Sequence, residues 1–336
     1  MITIQTNLLI EQTTQIDTFN SVLKSIYTET ELPRKLRESI PARHLDSLWV
    51  VSENNRPVAR FSVYKNPGLS YENYDTWCIG HYECIDNQSV ANFALQKAVD
   101  YIRQKGGTYV IGPMNGSTWE SYRFATTNDT IFFLEPLQRD WDATQWTDNG
   151  FQVLAGYESH IDEALLYDEA QLQYATEQLR SVHIELRSIH LTDFPSELGK
   201  MHTLCSQVFQ SNFLFTPTDL QTFSQKYLPI QPYLDADLFW LAYDANQNIV
   251  GFLFAVPDHS DTVNRTAIVK TLCRLPGSAY KLVTSALCNQ FMKTIRQKGY
   301  RRVIHAFMHK QNPSMNVSAR FSGHSFKEYV LLGKPL

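Results

Sequence analysis

The sequence offers little that favours a metal centre, a membrane span or a nucleic-acid surface. Its five cysteines are an odd number without metal-type pairing, so we expect buried free thiols, no metal site and a reducing compartment, the cytoplasm. No run approaches the roughly 18 apolar residues that cross a membrane, and Met1–Ile4 lacks the pattern of a secretory signal. A net charge of −4, without a cluster of lysine and arginine, argues against nucleic-acid partners.

The chain is long for one compact domain and has the composition of a folded protein. It has 336 residues, of which 43% are hydrophobic and 12% aromatic. This apolar content supports a full hydrophobic core, and a chain of this length commonly divides into more than one domain. We therefore expect two folded units.

An internal repeat indicates that the two units are copies of one another. Ile102–Gly106 recurs residue for residue as Ile295–Gly299. Both copies end in Lys-Gly, which is typical of a helix C-terminus followed by a glycine in the left-handed conformation. An apolar stripe with helical spacing leads into each copy. Its residues are Val90, Ala94, Ala98 and Ile102 in the first half and Val283, Leu287, Phe291 and Ile295 in the second.

A pair of β-hairpins upstream of these helices supports the same duplication. Polar turns at Glu53–Asn55 and Asp244–Asn246 each join two β-rich runs, and their offset matches that of the helices to within one residue. Chance similarity between two amphipathic α/β units is the alternative explanation. We predict a first unit over 1–165, a linker over 166–180 and a second unit over 181–336.

The order of these elements resembles the GNAT (GCN5-related N-acetyltransferase) fold. In each half a hairpin leads into a strand, a loop, a long helix and a further strand that is parallel to the first. Arg274–Ala279 matches the family motif Gln/Arg-x-x-Gly-x-Gly/Ala between such a strand and helix. The resemblance covers nearly the whole chain and includes poorly characterised bacterial tandem GNAT-like proteins. It implies an α/β fold of two tandem units, each a mixed, largely antiparallel sheet flanked by helices.

The same resemblance implies that the second unit binds acetyl-CoA or another acyl-CoA. A helix N-terminus with unpaired N–H groups attracts anions, and Gly277 and Ala279 allow a pyrophosphate to approach the backbone. An ordinary turn capped by Ser278 is the alternative. The first half has neither glycine nor a basic residue over Cys84–Ala91, so we expect a degenerate unit without coenzyme. The implied coenzyme-binding residues are Val269, Lys270, Thr271, Leu272, Arg274, Gly277, Ser278, Ala279, Tyr280, Lys281, Asn312 and Ser314.

Candidate catalytic residues lie on the last strands of the second unit. Acyl transfer to an amine requires a group that accepts the amine proton, and an acid for the leaving thiolate assists it. By topology the base is His305 or Glu328, although His305 also fits a hydrogen-bonded core histidine. The family's usual acid is a tyrosine, where this sequence has Phe321. Tyr329 or a serine such as Ser314 or Ser318 replaces it, or catalysis proceeds without an acid.

The unusual loop 115–123 is the candidate acceptor site. Its polar residues supply hydrogen bonds, Trp119 a stacking face and Arg123 a fixed charge, which suits an anionic or amide ligand between the units. A helix start with Ser117 and Glu120 as a capping box is the alternative. The predicted substrate-binding residues are Glu83, Asn115, Trp119 and Arg123.

Three functions fit these features. The leading hypothesis is an acyl-CoA-dependent N-acyltransferase that acts on an unknown small-molecule or peptide amine. The second is a non-catalytic GNAT-like binding or scaffold module, which Phe321 favours. The third is aminoacyl transfer from charged tRNA, because the Fem-type transferases are also tandem GNAT units. The acidic balance of the chain and the lack of a long charged helical-hairpin insertion argue against the third.

Overall fold

The computed structural model describes residues 2–5, 13–127 and 130–336, and two similar sets of elements follow one another along them. The strands of the first set are β1 (Ile2–Gln5), β2 (Leu45–Glu53), β3 (Arg56–Tyr64), β4 (Thr76–Cys84), β5 (Tyr109–Gly112), β6 (Phe124–Ala125) and β7 (Gln152–Asp162). Its helices are α1 (Thr13–Ser21), α2 (Leu32–Leu36), α3 (Gln88–Gln104) and α4 (Asp142–Thr147).

The helix α5 (Glu169–Ser181) connects the first set to the second. The strands of the second set are β8 (Glu185–Ser188), β9 (Phe239–Tyr243), β10 (Ile249–Pro257), β11 (Thr266–Arg274), β12 (Arg302–His309) and β13 (His324–Pro335). Its helices are α6 (Phe194–Val208), α7 (Leu220–Tyr227), α8 (Val283–Gln297) and α9 (Ser314–Arg320).

The helices and hairpins predicted from the repeat are confirmed. Helices α3 and α8 bury every residue of the two apolar stripes. They are followed by Gly106 and Gly299 with φ angles of +89° and +73°. Glycine adopts this left-handed conformation without the steric cost of a Cβ. The hairpins β2–β3 and β9–β10 pair antiparallel.

Thirteen strands of the described residues form one continuous sheet, because the two halves exchange their last strands. The order is β1-β2-β3-β4-β5-β13-β7-β12-β11-β10-β9-β8, and β6 pairs with β13 beside this path. Strand β13 of the second half pairs with β5 of the first, while β7 of the first half pairs with β12 of the second. The sequence predicts two units with a sheet each, and the exchange joins these sheets edge to edge.

The second half has separate hydrophobic cores on the two faces of its sheet. On one face Phe194 of α6 belongs to a cluster with Ile304. On the other face Phe291 of α8 belongs to a cluster with Val303. Successive side chains of a strand point to opposite faces. We call these two sides the α6 face and the α8 face.

Two expectations from composition concern the helices and the cysteines. No helix in the described ranges is long and apolar enough to cross a bilayer. All five cysteines are buried and free, as predicted. Buried apolar surroundings raise the pKa of a thiol, as for Cys78 and Cys288, where it reaches about 12.

Candidate functional site

The parallel strands β11 and β12 separate part-way along their length. They pair from Thr266 opposite Arg302 to Val269 opposite His305. Beyond this point β11 continues to Arg274 without a β12 partner, and β12 pairs with β7 on its other side in an irregular register. The backbone edge of the second half of β11 is therefore open.

Lys270 lies at a β-bulge directly after the last pair of β11 and β12. Phe254 of β10 lies opposite Thr271 and Ala255 opposite Val269, so Lys270 has no partner on β10. A bulge leaves its extra residue outside the regular ladder and bends the strand. Lys270 and Thr271 line the opening between the strands.

The opening belongs to a cleft of about 1480 Å³ that both halves of the chain line. The second half contributes residues of β10, β11, β12, α6, α7, α8 and α9. The first half contributes the segment between β5 and β6, with Trp119 and Arg123, and Tyr157 of β7. Small-molecule sites commonly measure about 300–1,000 Å³. The cleft is large enough for an extended ligand together with a second, smaller one.

The predicted anion-binding loop has a conformation that only glycine adopts easily. Gly277 has φ 110° and ψ 163°, and a 3₁₀ turn over Ser278–Tyr280 leads to α8, which begins at Val283. No described residue accepts a hydrogen bond from the N–H groups of Gly277, Ser278 and Ala279, all of which are exposed. No side chain caps α8 or the 3₁₀ turn before it, so Ser278 does not act as a helix cap. The free N–H groups suit an anion.

The corresponding strands of the first half, β4 and β5, also separate, but side chains fill their opening. They pair over three positions, after which Met114 still donates its N–H to the carbonyl of Ile79 at 2.9 Å, and Trp146 of α4 packs against Gly112 of β5 and Tyr82 of β4. Its ring centroid is 5.4 Å from that of Tyr82 and 5.5 Å from that of Phe124, and all three side chains are buried. A Cβ on Gly112 of β5 would collide with the Trp146 ring. This opening has no room for a ligand.

The helix N-terminus of the first half is closed as well. The Asn87 side chain accepts hydrogen bonds from the N–H groups of Ser89 and Val90 at 3.0 and 3.3 Å, and so caps α3. These N–H groups are the donors that a bound anion would need. The two halves thus share one fold. They differ at the strand opening and at the start of the long helix, which are accessible in the second half and filled or capped in the first.

His305 begins a chain of buried hydrogen bonds that reaches into the first half. Its Nδ1 lies 2.6 Å from Oγ of Ser318 in α9, and this Oγ lies 2.9 Å from Nδ1 of His160 in β7. Nε2 of His160 lies 3.0 Å from Oε2 of Glu158. Burial, and then the nearby His160, lowers the pKa of His305 to about 4, so His305 is neutral at physiological pH.

The carboxylate at the end of this chain places a proton on Nε2 of His160, because Glu158 only accepts. When Nδ1 of His160 accepts from the Ser318 hydroxyl, Ser318 accepts in turn from Nδ1–H of His305. In this arrangement His305, which lines the cleft with Ser318, has an unprotonated Nε2. This is the atom that a general base uses.

No protein-family model and no curated protein sequence matches the chain, whereas solved structures do. A tandem GNAT protein from the clavulanic acid biosynthesis pathway superposes with a TM-score of 0.55 at 9% identity, over 99% of this chain and 98% of that one. The chain has the tandem GNAT fold. GCN5-related N-acetyltransferases from Anabaena variabilis and Sphaerobacter thermophilus superpose with TM-scores of 0.59 and 0.52 at 7% and 10% identity. Each covers 99% of this chain, and the shares of their own chains are 73% and 95%. At such identities the likeness is one of fold alone.

The other predicted catalytic residues lie outside the lining of the cleft. Tyr329 is buried, and its hydroxyl lies 2.8 Å from Oε1 of Glu135. Burial, and then the charge of Glu135, raises the pKa of Tyr329. Glu328 is exposed and forms an ion pair with Lys310 at 3.2 Å. Phe321, at the position of the family's tyrosine, does line the cleft.

The predicted coenzyme-binding residues form two groups in the second GNAT unit. Those that line the cleft are Val269, Lys270, Thr271, Leu272, Asn312 and Ser314. Those of the loop before α8 are Arg274, Gly277, Ser278, Ala279, Tyr280 and Lys281. Nη1 of Arg274 donates to the carbonyl of Leu275 at 2.7 Å, which holds its side chain beside the loop. Oδ1 of Asn312 accepts from the N–H of Ser314 at 2.9 Å, where α9 begins.

The predicted substrate-binding residues are divided between the cleft and the interior of the first GNAT unit. Trp119 and Arg123 line the cleft. Asn115 and Glu83 are buried away from it, and Glu83 belongs to a buried ion-pair cluster. The residues 115–123 form turns and bends, so the alternative of a helix start is wrong.

The sequence alone does not point to His160 and Glu158. Both lie on β7, the last strand of the first GNAT unit, and no local pattern places this strand beside β12 of the second. Their spacing is the one usable signal, because residues two apart on a strand share a face. Only the strand exchange brings that face to Ser318 and His305.

Proposed function

We propose that the protein is an N-acyltransferase that binds acetyl-CoA or another acyl-CoA with its second GNAT unit. The asymmetry between the units is the main support. In the second unit the strand opening leads into the cleft and the loop after Arg274 has free N–H groups. In the first unit Trp146 and Asn87 occupy the equivalent places. One coenzyme per chain follows from this difference.

Backbone groups provide most of the coenzyme contacts in this proposal. The free N–H groups of Gly277, Ser278 and Ala279 would hold the pyrophosphate, and Arg274 would add positive charge beside them. The open edge of β11 from Lys270 to Leu272 would hold the extended arm of the coenzyme, and a backbone N–H of this edge would stabilise negative charge on the thioester carbonyl. When bound, the coenzyme supplies an acyl group activated as a thioester.

The buried hydrogen-bond chain gives His305 a way to act as base despite its low pKa. A proton that His305 takes at Nε2 allows its Nδ1 proton to pass to Ser318 and the Ser318 proton to pass to His160. The positive charge then rests on His160, which lies 3.0 Å from the Glu158 carboxylate. An ion pair stabilises that charge where an isolated buried imidazolium would be costly.

A non-catalytic binding module is the second candidate, and Phe321 is the observation that favours it. Phe321 lines the cleft where the GNAT resemblance expects a tyrosine, and phenylalanine has no proton to give to a leaving thiolate. Binding of acetyl-CoA without any acyl transfer would support this candidate.

Calorimetric titration with acetyl-CoA tests the coenzyme site. We expect one site per chain, with affinity reduced by Arg274→Glu because a negative charge then faces the pyrophosphate. Arg56→Glu makes the same charge change at the exposed start of β3 in the first unit and should leave the affinity unchanged. The absence of binding to the wild-type protein at millimolar acetyl-CoA would overturn the proposal.

Release of free thiol from acetyl-CoA in the presence of amines tests the transfer reaction. Glu158→Gln should lower kcat while leaving acetyl-CoA affinity unchanged, because it removes the carboxylate that stabilises charge on His160. Glu163→Gln is the control, since Glu163 follows the same strand and its carboxylate pairs with Arg302 at the surface. Equal kcat values for wild type and Glu158→Gln would exclude the proton chain while leaving coenzyme binding intact.

A further inference from the structure

The charges that line the cleft are strongly unbalanced. The chain as a whole has a net charge of −4. Among the residues that line the cleft, however, the basic side chains are Arg37, Arg43, Arg123, Lys226 and Lys270, and the acidic one is Glu120. A concave site lined by one sign of charge attracts ligands of the opposite sign.

Two of these basic side chains form ion pairs at the rim of the cleft. Lys226 pairs with Glu120 at 2.9 Å, and Arg43 pairs with Asp219 at 2.8 Å. Arg37 is exposed to solvent. The unbalanced charge inside the cleft is therefore that of Arg123 and Lys270.

Arg123 is held by aromatic rings and has no hydrogen-bond acceptor for its guanidinium among the described residues. Its Cζ lies 4.1 Å from the ring centroid of Tyr122, 4.3 Å from that of Phe307 and 4.9 Å from that of Tyr157. Nη1 is buried without a partner. Aromatic faces attract a cation but do not satisfy its N–H donors, which fit a carboxylate or phosphate in pairs.

Lys270, on β11 of the second unit, also lacks a counter-ion in the described ranges. Its Nζ is 4.0 Å from the ring centroid of Phe307, the ring that Arg123 also contacts, and it forms no ion pair within the described chain. Burial, and then the charge of Arg123, lowers the pKa of Lys270 to about 7. Glu135, a carboxylate whose charge favours the protonated form of Lys270, is bound to Lys327 at 2.8 Å.

Arg123 and the protonated form of Lys270 share one aromatic ring, lack a counter-ion and repel each other in a partly desolvated site, which favours loss of the Lys270 proton. An anion between them removes this repulsion and supplies the acceptors that both groups lack. Resting on the acyltransferase function proposed above, we propose that the acceptor substrate carries an anionic group, a carboxylate or a phosphate, that Arg123 and Lys270 bind together.

This assignment gives the first GNAT unit a role in recognition. Arg123 and Tyr157 belong to the first unit and Lys270 and Phe307 to the second, so neither unit alone contains the anion site. The aromatic walls beside it, which include Trp119, suit an apolar or aromatic body next to the anionic group. The first unit thus takes part in binding the acceptor together with the second, and the second also binds the acyl donor.

Small aromatic probes test the anion site without knowledge of the natural acceptor. Calorimetry would compare phenylacetate, phenyl phosphate and the neutral phenylacetamide on the full chain. We expect one of the two anions to bind roughly tenfold or more tightly than the amide. Preference for phenylacetate assigns a carboxylate, and preference for phenyl phosphate assigns a phosphate. Equal binding of all three, or no binding of either anion at millimolar concentration, overturns the proposal.

Variants connect this preference to the two side chains. Arg123→Gln and Lys270→Met should each reduce binding of the preferred anion by roughly tenfold and leave the amide unaffected. Arg43→Gln, at the ion-paired rim, should retain the preference. An unchanged preference in Arg123→Gln overturns the proposal. Acetyl-CoA affinity is measured in parallel on each protein, so failure of the anion site is distinguished from failure of the coenzyme site.

Discussion

The loop before α8 depends on a backbone conformation at Gly277 that alanine resists, so Gly277→Ala should weaken acetyl-CoA binding. The residue has φ 110° and ψ 163°. A Cβ at this position would meet only the Tyr280 ring, at 3.9 Å. Crowding is therefore not the cause of the expected effect. The cause is backbone strain, which residues with a Cβ relieve by moving out of this region.

The expected magnitude follows from that strain. A residue held in a sparsely populated backbone region costs about 1–3 kcal/mol. In the free variant the exposed loop relaxes, and acetyl-CoA must restore the conformation that presents the N–H groups of Gly277, Ser278 and Ala279. The dissociation constant should rise by about 5- to 150-fold, since each 1.4 kcal/mol corresponds to a factor of about ten.

Calorimetric titration with acetyl-CoA measures this change, and thermal unfolding measures the stability of each protein. Gly106→Ala is a matched control, because Gly106 also has a positive φ, of +89°, and open space around its Cα. It follows α3 in the first unit, far from the coenzyme loop. We expect it to lower stability and leave the dissociation constant unchanged. A dissociation constant for Gly277→Ala within about twofold of wild type, well below the tenfold that 1.4 kcal/mol would give, would refute the argument.

Three further predictions concern the first unit, the buried histidines and the strand exchange. Trp146→Ala should lower the free energy of unfolding by about 3–5 kcal/mol in a urea titration, with unchanged acetyl-CoA affinity. An affinity loss would contradict the view that the first unit binds no coenzyme. Burial lowers the pKa of His81 to about 3 and of His305 to about 4. A histidine in the unfolded chain has a pKa of about 6.5, so below this pH the unfolded chain binds more protons than the folded one. The free energy of unfolding therefore falls by about 2 kcal/mol per histidine between about pH 7 and about pH 5. Urea titrations at both pH values should show a smaller loss of unfolding free energy for His81→Asn than for wild type. An equal loss would contradict the role of His81 in this pH dependence. Finally, residues 181–336 alone lack β7, which separates β12 from β13. We expect this fragment to aggregate in size-exclusion chromatography, and a monomer that unfolds cooperatively would count against the exchange.

The sequence determined the local elements because their signals are local. The stripes of α3 and α8, the glycines that follow them and the two hairpin turns all depend on residues within a few positions of one another. The motif Arg274–Ala279 belongs to the same class, since a strand, a glycine with positive φ and a helix start are adjacent in the chain. The absence of such a motif over Cys84–Ala91 predicted a unit without coenzyme, and the structure shows that Asn87 caps the helix start there.

The positions of the catalytic candidates relative to the cleft could not be predicted from local patterns, because they depend on which strand faces the cleft. Glu328 and Tyr329 are neighbours on β13 and so point to opposite faces of the sheet. Tyr329 is buried against Glu135, whereas Glu328 is exposed to solvent. Trp119 and Arg123 line the cleft, whereas Glu83 is in the interior of the first unit. Burial and exposure of these polar residues follow from sheet order, which the local pattern does not contain.

Only the tertiary structure decided that the two units share one sheet and one cleft. Strand exchange places β7 against β12 and β13 against β5, pairings between residues far apart in the chain. The proton chain from His305 to Glu158 and the unbalanced pair of Arg123 and Lys270 both result from it. A strand's own residues specify that it is a strand and which face is apolar. Its neighbours are selected by the packing of the whole sheet, and in this protein that selection brings the site together.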